Sequence, residues 1–242
     1  MTLKLSRTLV LALTLVLAAC ANTIPLNTDP AITVVAPDYR VGDTWVYHVE
    51  DGFRLPEVWE ETHTITAIRE EEIVLSVTRR GNHVNDTRTE IWARAGAVKQ
   101  GAVMLDETRV FELPFVRFRY PMSAGVAWSQ SLKADTKYGD AMNIRDGYLS
   151  YRTRAKGWQK IASPHGDVDA LLLESSVLFD DENPWYYASR GKECAWYAPS
   201  VNNVVWIERD VARLEKGDAR SGMIIPVVRA SFRLTDYRPA PR

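Results

Sequence analysis

Apolar and polar residues alternate along most of this chain, and that alternation limits its fold more than any other feature. Val228, Ala230, Phe232 and Leu234 alternate with Val227, Arg229, Ser231 and Arg233. Ile73, Leu75 and Val77 alternate with Val74, Ser76 and Thr78, and Val116, Phe118 and Tyr120 with Phe115, Arg117 and Arg119. Successive side chains of a strand point to opposite faces, so these runs describe strands with one buried face. Further strands are expected over 44–50, 58–69, 87–95, 98–104, 109–113, 127–135, 147–160, 169–178 and 203–209. Turn pairs separate several of them, among them Gly81-Asn82, Asp106-Glu107, Gly139-Asp140 and Asn202-Asn203. A helix would need apolar residues at i, i+3, i+4 and i+7 over ten or more positions, and only 209–217 comes near, between two good strands. It reads as a hairpin extension or a single turn. The class is mainly β: an antiparallel curved sheet, half-barrel or sandwich, with few or no helices in the mature domain.

The first twenty residues describe an address. Lys4 and Arg7 precede the uncharged run TLVLALTLVLAA over 8–19. About 20 apolar residues are needed to cross a bilayer, so this shorter run reads as a secretory signal and not as a span. It ends Leu17-Ala18-Ala19-Cys20, which resembles the bacterial lipobox. That resemblance implies removal of 1–19, lipid on Cys20, and a membrane partner through that lipid. Asp after the cysteine would imply retention in the inner membrane; Ala21 implies the outer membrane, facing the periplasm. Acyl chains contribute roughly 0.8 kcal/mol per buried CH2, so several of them hold a protein firmly with no amphipathic helix.

Residues 20–37 read as the lipidated cysteine and an extended tether, and 38–242 as a single β-rich periplasmic domain. With Lys4 and Arg7 lost, the 30 basic residues become 28 against 31 acidic ones, so no basic excess points to nucleic acid. Cys20 and Cys194 are the only cysteines, and lipidation uses the first, which leaves no internal disulfide. Stability must come from the core, for which 46% hydrophobic residues and eight tryptophans are ample.

Tyr39, Gly42 and Trp45 form a turn-to-strand device that recurs as Tyr120, Gly125 and Trp128. Three segments resemble the TapB-like domain, a family of exported bacterial proteins. They are Val41-Gly42-Asp43-Thr44-Trp45-Val46-Tyr47, the run from Ser163-Pro164-His165-Gly166 to Leu171, and the run from Cys194-Ala195-Trp196-Tyr197-Ala198-Pro199 to Val205. His165 stands where the family has a small residue, and Asn202-Asn203 replaces a glycine-containing turn, although Asn also tolerates positive φ. The resemblance implies a β-rich periplasmic module, similar in outline to the curved sheets of lipoprotein carriers that cradle acyl chains, and it implies no catalytic residues.

Motifs for chemistry are scarce. His48, His63, His83 and His165 lie in no zinc spacing, and no serine-hydrolase elbow, phosphate loop or dinucleotide fingerprint occurs. No catalytic residue, metal site or cofactor is expected. The acidic clusters Glu60-Glu61, Glu70-Glu71-Glu72 and Asp180-Asp181-Glu182 read as solvated turns. Cys194 reads as a small buried residue in a strand, with His165 and Cys194 the weak alternative site of a periplasmic hydrolase acting on an envelope glycan or peptide. The adjacent aromatics of Asn183-Pro184-Trp185-Tyr186-Tyr187 cannot all face inward on one strand, which leaves two readings: a loop that folds back to plug one end of the sheet, or a surface or groove mouth where Trp185, Tyr186 and Tyr187 are the candidate partner-binding residues. The expected function is a non-enzymatic binding or assembly module for an envelope partner, protein, glycan or lipid. An enclosed apolar space of roughly 300 to 1,000 Å3 would mark the lipid version.

Overall fold

A computed structural model describes residues 25–52, 55–70, 72–137, 146–164, 166–181, 186–215 and 224–241. Among the described residues there are fourteen strands: β1 (Thr33–Val34), β2 (Thr44–Asp51), β3 (Glu57–Arg69), β4 (Glu72–Gly81), β5 (Asn85–Arg94), β6 (Ala97–Ala102), β7 (Thr108–Val116), β8 (Met122–Ser123), β9 (Ala127–Lys137), β10 (Asp146–Ser163), β11 (Gly166–Asp181), β12 (Tyr186–Ala198), β13 (Asn203–Glu215) and β14 (Ile224–Arg238). Among the described residues there is no α-helix, only a 3-10 turn at Pro199–Val201.

Twelve of the strands form a closed antiparallel barrel, a meander in which β14 returns to pair with β2 and β7 pairs with β9 across the β8 excursion. The chain is mainly β and antiparallel, and the curved sheet, half-barrel or sandwich expected from the alternation is here a fully closed ring. Closure removes the unpaired edges that an open sheet would expose. Residues 209–215 extend β13, while the strand expected through Tyr120 stops at Val116 and leads into bends.

Inward positions carry the core: Trp45, Tyr47 and Val49 on β2, Leu75 and Val77 on β4, Leu171, Leu173, Val177 and Phe179 on β11. Outward positions on the same strands are largely polar, such as His48, Glu50, Ser176 and Glu174. That is the reverse of a barrel facing lipid, which carries its apolar band outside. Eight strands already make a barrel that side chains just fill. Twelve can be solid only if opposite walls meet, and here they do. Arg213 of β13 reaches Glu107, just before β7, at 3.2 Å, and Arg117, just after β7, reaches Glu193 of β12 at 3.5 Å.

The two ends of the barrel differ. One end gathers the 3-10 turn, the β10–β11 turn and both described chain termini. There Gly42 and Gly125 adopt φ of +102° and +86°, and each N–H bonds the carbonyl of a neighbouring strand, Ile65 and Ala155 respectively, at 2.8 Å. The chain can then turn so that Trp45 and Trp128 enter the core. The segment read as a tether contributes to this end: Asn27 pairs with Trp158, β1 pairs with β8, and Val34 is buried, while Tyr39 just beyond it packs edge-on against Trp45. At the opposite end lie the last residues of β9, β11 and β13 and the first of β10, β12 and β14.

Candidate functional site: a basic groove on the outer wall

Five consecutive strands, β9 to β13, form the wall that carries the candidate site. Their antiparallel register lines outward side chains into rungs that cross all five. One rung runs Ser129, Arg152, Ser176, Lys192, Asp210; the next runs Ser131, Ser150, Leu178, Arg190, Ala212. Serines and alanine make a low floor between long cationic side chains. The result is a groove of about 830 Å3 on the outer face, lined by both rungs.

Its electrostatics follow from what is missing around the cations. Arg152, Arg190 and Lys192 are exposed and make no ion pair or hydrogen bond among the described residues, although Lys192 sits directly across from Asp210. Ser131 and Ser150 share a hydrogen bond of 3.1 Å, while the Ser129 and Ser176 hydroxyls are unengaged. Three cations against one carboxylate leave the groove with an excess of two positive charges. Beneath the floor the inward side chains are satisfied: Tyr151 donates to the Ser175 hydroxyl and Thr153 pairs with it, both at 2.9 Å.

The barrel interior holds charges of a different kind. Glu193 accepts from Arg209 at 2.9 and 2.8 Å and from Arg117 at 3.5 Å. Glu61 meets His63 at 2.7 Å, Arg88 at 3.3 Å and the Trp59 indole N–H at 3.3 Å, and Arg88 reaches Glu90 at 3.2 Å. Burial pushes both carboxyls up, but for Glu61 the hydrogen bond and charge of His63 and the charge of Arg88 outweigh it. Its pKa lies well below the usual carboxylate range, and Glu193 is lowered likewise by Arg209 and Arg117. The Glu60-Glu61 pair, expected at a solvated turn, lies mid-strand on β3 with Glu61 inside the barrel.

The spaces left between these interior groups measure about 40 and 10 Å3. Neither approaches the several hundred Å3 that an acyl chain needs. Among the described residues, then, these interior spaces offer no apolar cradle of that size. Side chains from both walls fill the lumen, and ample space for a ligand lies on the outside.

Cys194 faces outward on β12, between Glu174 of β11 and Glu208 of β13. Burial, then the charges of Glu174, Glu193 and Glu208, push its thiol up, which opposes the thiolate a nucleophile requires. Cys20, His165 and Trp185 lie outside the described residues. Tyr186 and Tyr187 open β12 at the end of the barrel away from the described N-terminus, and their side chains lie outside the described part. Among the described residues no cluster of His, Cys, Asp and Glu has the arrangement of a metal site. Arg152, Arg190 and Lys192 were not legible as a site. The available signal was cations spaced two apart, Arg152 with Arg154 on β10 and Arg190 with Lys192 on β12, which places each pair on one face.

No protein-family model matches the chain, and no curated protein matches it. The TapB-like resemblance therefore rests on its three segments, which all lie at one end of the barrel, where Gly42, Gly166 and Asn202 take positive φ. Among solved structures, the chain is similar to a Bacteroides fragilis protein described as exported and as having a YmcC-like fold. The two are 12% identical, the match covers 86% of this chain and all of the other, and the TM-score is 0.51. At that identity the likeness establishes a shared fold. Weaker likenesses are a Parabacteroides distasonis protein described as a lipoprotein (11% identity, 82% of this chain and 96% of that one, TM-score 0.46) and the hypothetical lipoprotein YmcC of Escherichia coli (11%, 87% and 92%, TM-score 0.40).

Proposed function

We propose that this chain is an envelope lipoprotein, exported by its first 19 residues and anchored through lipid on Cys20. It acts as a non-enzymatic binding module that holds its ligand against the outer wall β9–β13. One observation carries the reading: a groove of about 830 Å3 lined by unpaired cations lies on the outer face, while the spaces between the interior charged groups among the described residues are about 40 and 10 Å3. Ligand sites are concave and largely pre-formed, and the groove qualifies on both counts. The sequence adds the lipobox-like Leu17-Ala18-Ala19-Cys20, with Ala21 favouring the outer membrane and a periplasmic face. The Bacteroides fragilis protein of the same fold is described as exported, which agrees with that address.

The arrangement suits a module held near a membrane. Asn27, seven positions after Cys20, packs at Trp158, towards the end where β10 turns into β11. A lipid on Cys20 would draw that end to the bilayer. The groove, nearer the far end on β11, β12 and β13, would then face away from it, together with the start of β12. A TapB-like identity would fit this reading, since its three segments build the membrane-proximal turns.

The test is site-specific photocrosslinking of the full lipidated chain in its native envelope, with the photoreactive residue at Leu178 in the groove or at Val58 on the opposite wall. Both positions are exposed. The reading predicts an adduct of defined mass from position 178 and none from 58. Equal labelling at both, or none at 178, would overturn it.

A further inference from the structure

We infer that the groove on β9–β13 is a phosphate site, its ligand carrying at least one phosphate group seated between Arg152, Arg190 and Lys192. The inference rests on the binding-module reading above and adds the chemical class of the ligand.

Geometry supplies the first argument. Strands lie about 4.8 Å apart and alternate residues on one strand about 6.7 Å apart, so the three Cα positions fall within roughly 10 to 12 Å of one another. Arginine and lysine side chains span that distance easily and can converge on one anion from two sides. All three are free to do so, for none makes an ion pair or hydrogen bond. An exposed cation without a partner is common, but three on neighbouring rungs above a floor of small residues are an arrangement with one clear use.

Chemistry narrows the class. A phosphate monoester carries a charge of about −1.5 to −2 at neutral pH and three terminal acceptor oxygens. The groove offers three cationic donors and a net excess of two positive charges. Guanidinium groups bind phosphate through paired N–H donors, and ammonium groups bind it as point charges. The Ser129 and Ser176 hydroxyls flank Arg152 on either side and supply further donors of the kind that hold phosphate oxygens. A protein partner would instead be expected to meet aromatic or large apolar anchors, and the groove presents outward only Leu178 and Ala212 as apolar side chains. A stacked base would need an outward aromatic ring, and neither rung supplies one.

Phosphate of this kind occurs on lipid headgroups and on soluble molecules, and one titration separates the two. The full lipidated chain in neutral detergent micelles is titrated calorimetrically with inorganic tripolyphosphate and with short-chain phosphatidic acid, short-chain phosphatidylcholine serving as the zwitterionic control. The prediction is saturable binding of at least one of the first two. Tripolyphosphate binding assigns a soluble phosphate, and phosphatidic acid alone assigns a headgroup. Binding should weaken as salt is raised from about 50 to 300 mM, since exposed charges are screened over about a Debye length. The double substitution Arg152→Gln with Arg190→Gln should weaken it at least tenfold at unchanged thermal stability, and Arg80→Gln on the far wall by less than twofold. Failure of both probes to bind, or a double variant within twofold of wild type, would overturn the inference. Should position 178 still crosslink its envelope ligand while neither probe binds, the phosphate assignment alone falls and the binding module stands.

Discussion

The barrel holds two sets of arginines, one inside and one on the outer wall, and they differ in what sits beside them. Inside, Arg88, Arg117 and Arg209 each meet a buried glutamate, and the depressed pKa values of Glu61 and Glu193 register the strength of those pairs. Outside, Arg152 and Arg190 have no carboxylate partner among the described residues. A buried charge is tolerable only when paired, because burial removes the water that would otherwise stabilise it. An exposed cation keeps its hydration and can stay unpaired at little cost. The inner set is thus committed to structure, while the outer set remains available to a ligand.

That contrast can be broken most severely from within. Glu193→Gln leaves Arg117 and Arg209 buried without their countercharge, and breaking such a pair costs about 3 to 5 kcal/mol. Urea denaturation should show a loss of that order, against a change within about 0.5 kcal/mol for Arg190→Gln one turn of the pleat away on the solvent side. Similar losses for the two would erase the distinction.

Acid should act on the inner set as well. Both glutamates have folded pKa values below the ordinary 4.5, so their stabilisation is complete above that value and is lost as pH falls through the folded ones. The melting temperature should therefore decline below about pH 4.5, and less steeply in Glu193→Gln, which lacks one of the two groups. An equal slope in both proteins would remove Glu193 from the explanation.

A smaller effect is expected where the two faces share a strand. Gly191 lies between Arg190 and Lys192, and a Cβ there would stand 2.7 Å from Val177 Cγ1 and 2.9 Å from Met104 Sδ. Gly191→Ala should cost about 1 to 3 kcal/mol by overpacking, read from the same denaturation curves, while the groove keeps its cations. A neutral result would mean that the core under the groove yields more easily than its contacts suggest.

The sequence revealed the strands better than their closure. β14 was plain because Ala230, Phe232 and Leu234 are apolar where they face inward. β12 was missed for the opposite reason. Its inward positions are Ser189, Gly191, Glu193, Ala195 and Tyr197, so the period-two pattern of burial has no matching pattern of hydrophobicity. The interior glutamates caused the same blindness at Glu61, since a carboxylate reads as surface until its arginine partners, distant in sequence, are brought beside it. Closure depends on β14 meeting β2 and β7 meeting β9, pairings that no local pattern encodes. The groove was hidden because it exists only once five strands align their rungs.

Arginine-selective modification with phenylglyoxal, followed by peptide mass mapping of the native full chain, compares the two sets directly. Rapid labelling of Arg152 and Arg190, slowed by added tripolyphosphate, with Arg88, Arg117 and Arg209 protected until the protein unfolds, is the predicted result. Labelling of the interior arginines in the native state at the rate of the groove pair would contradict the account.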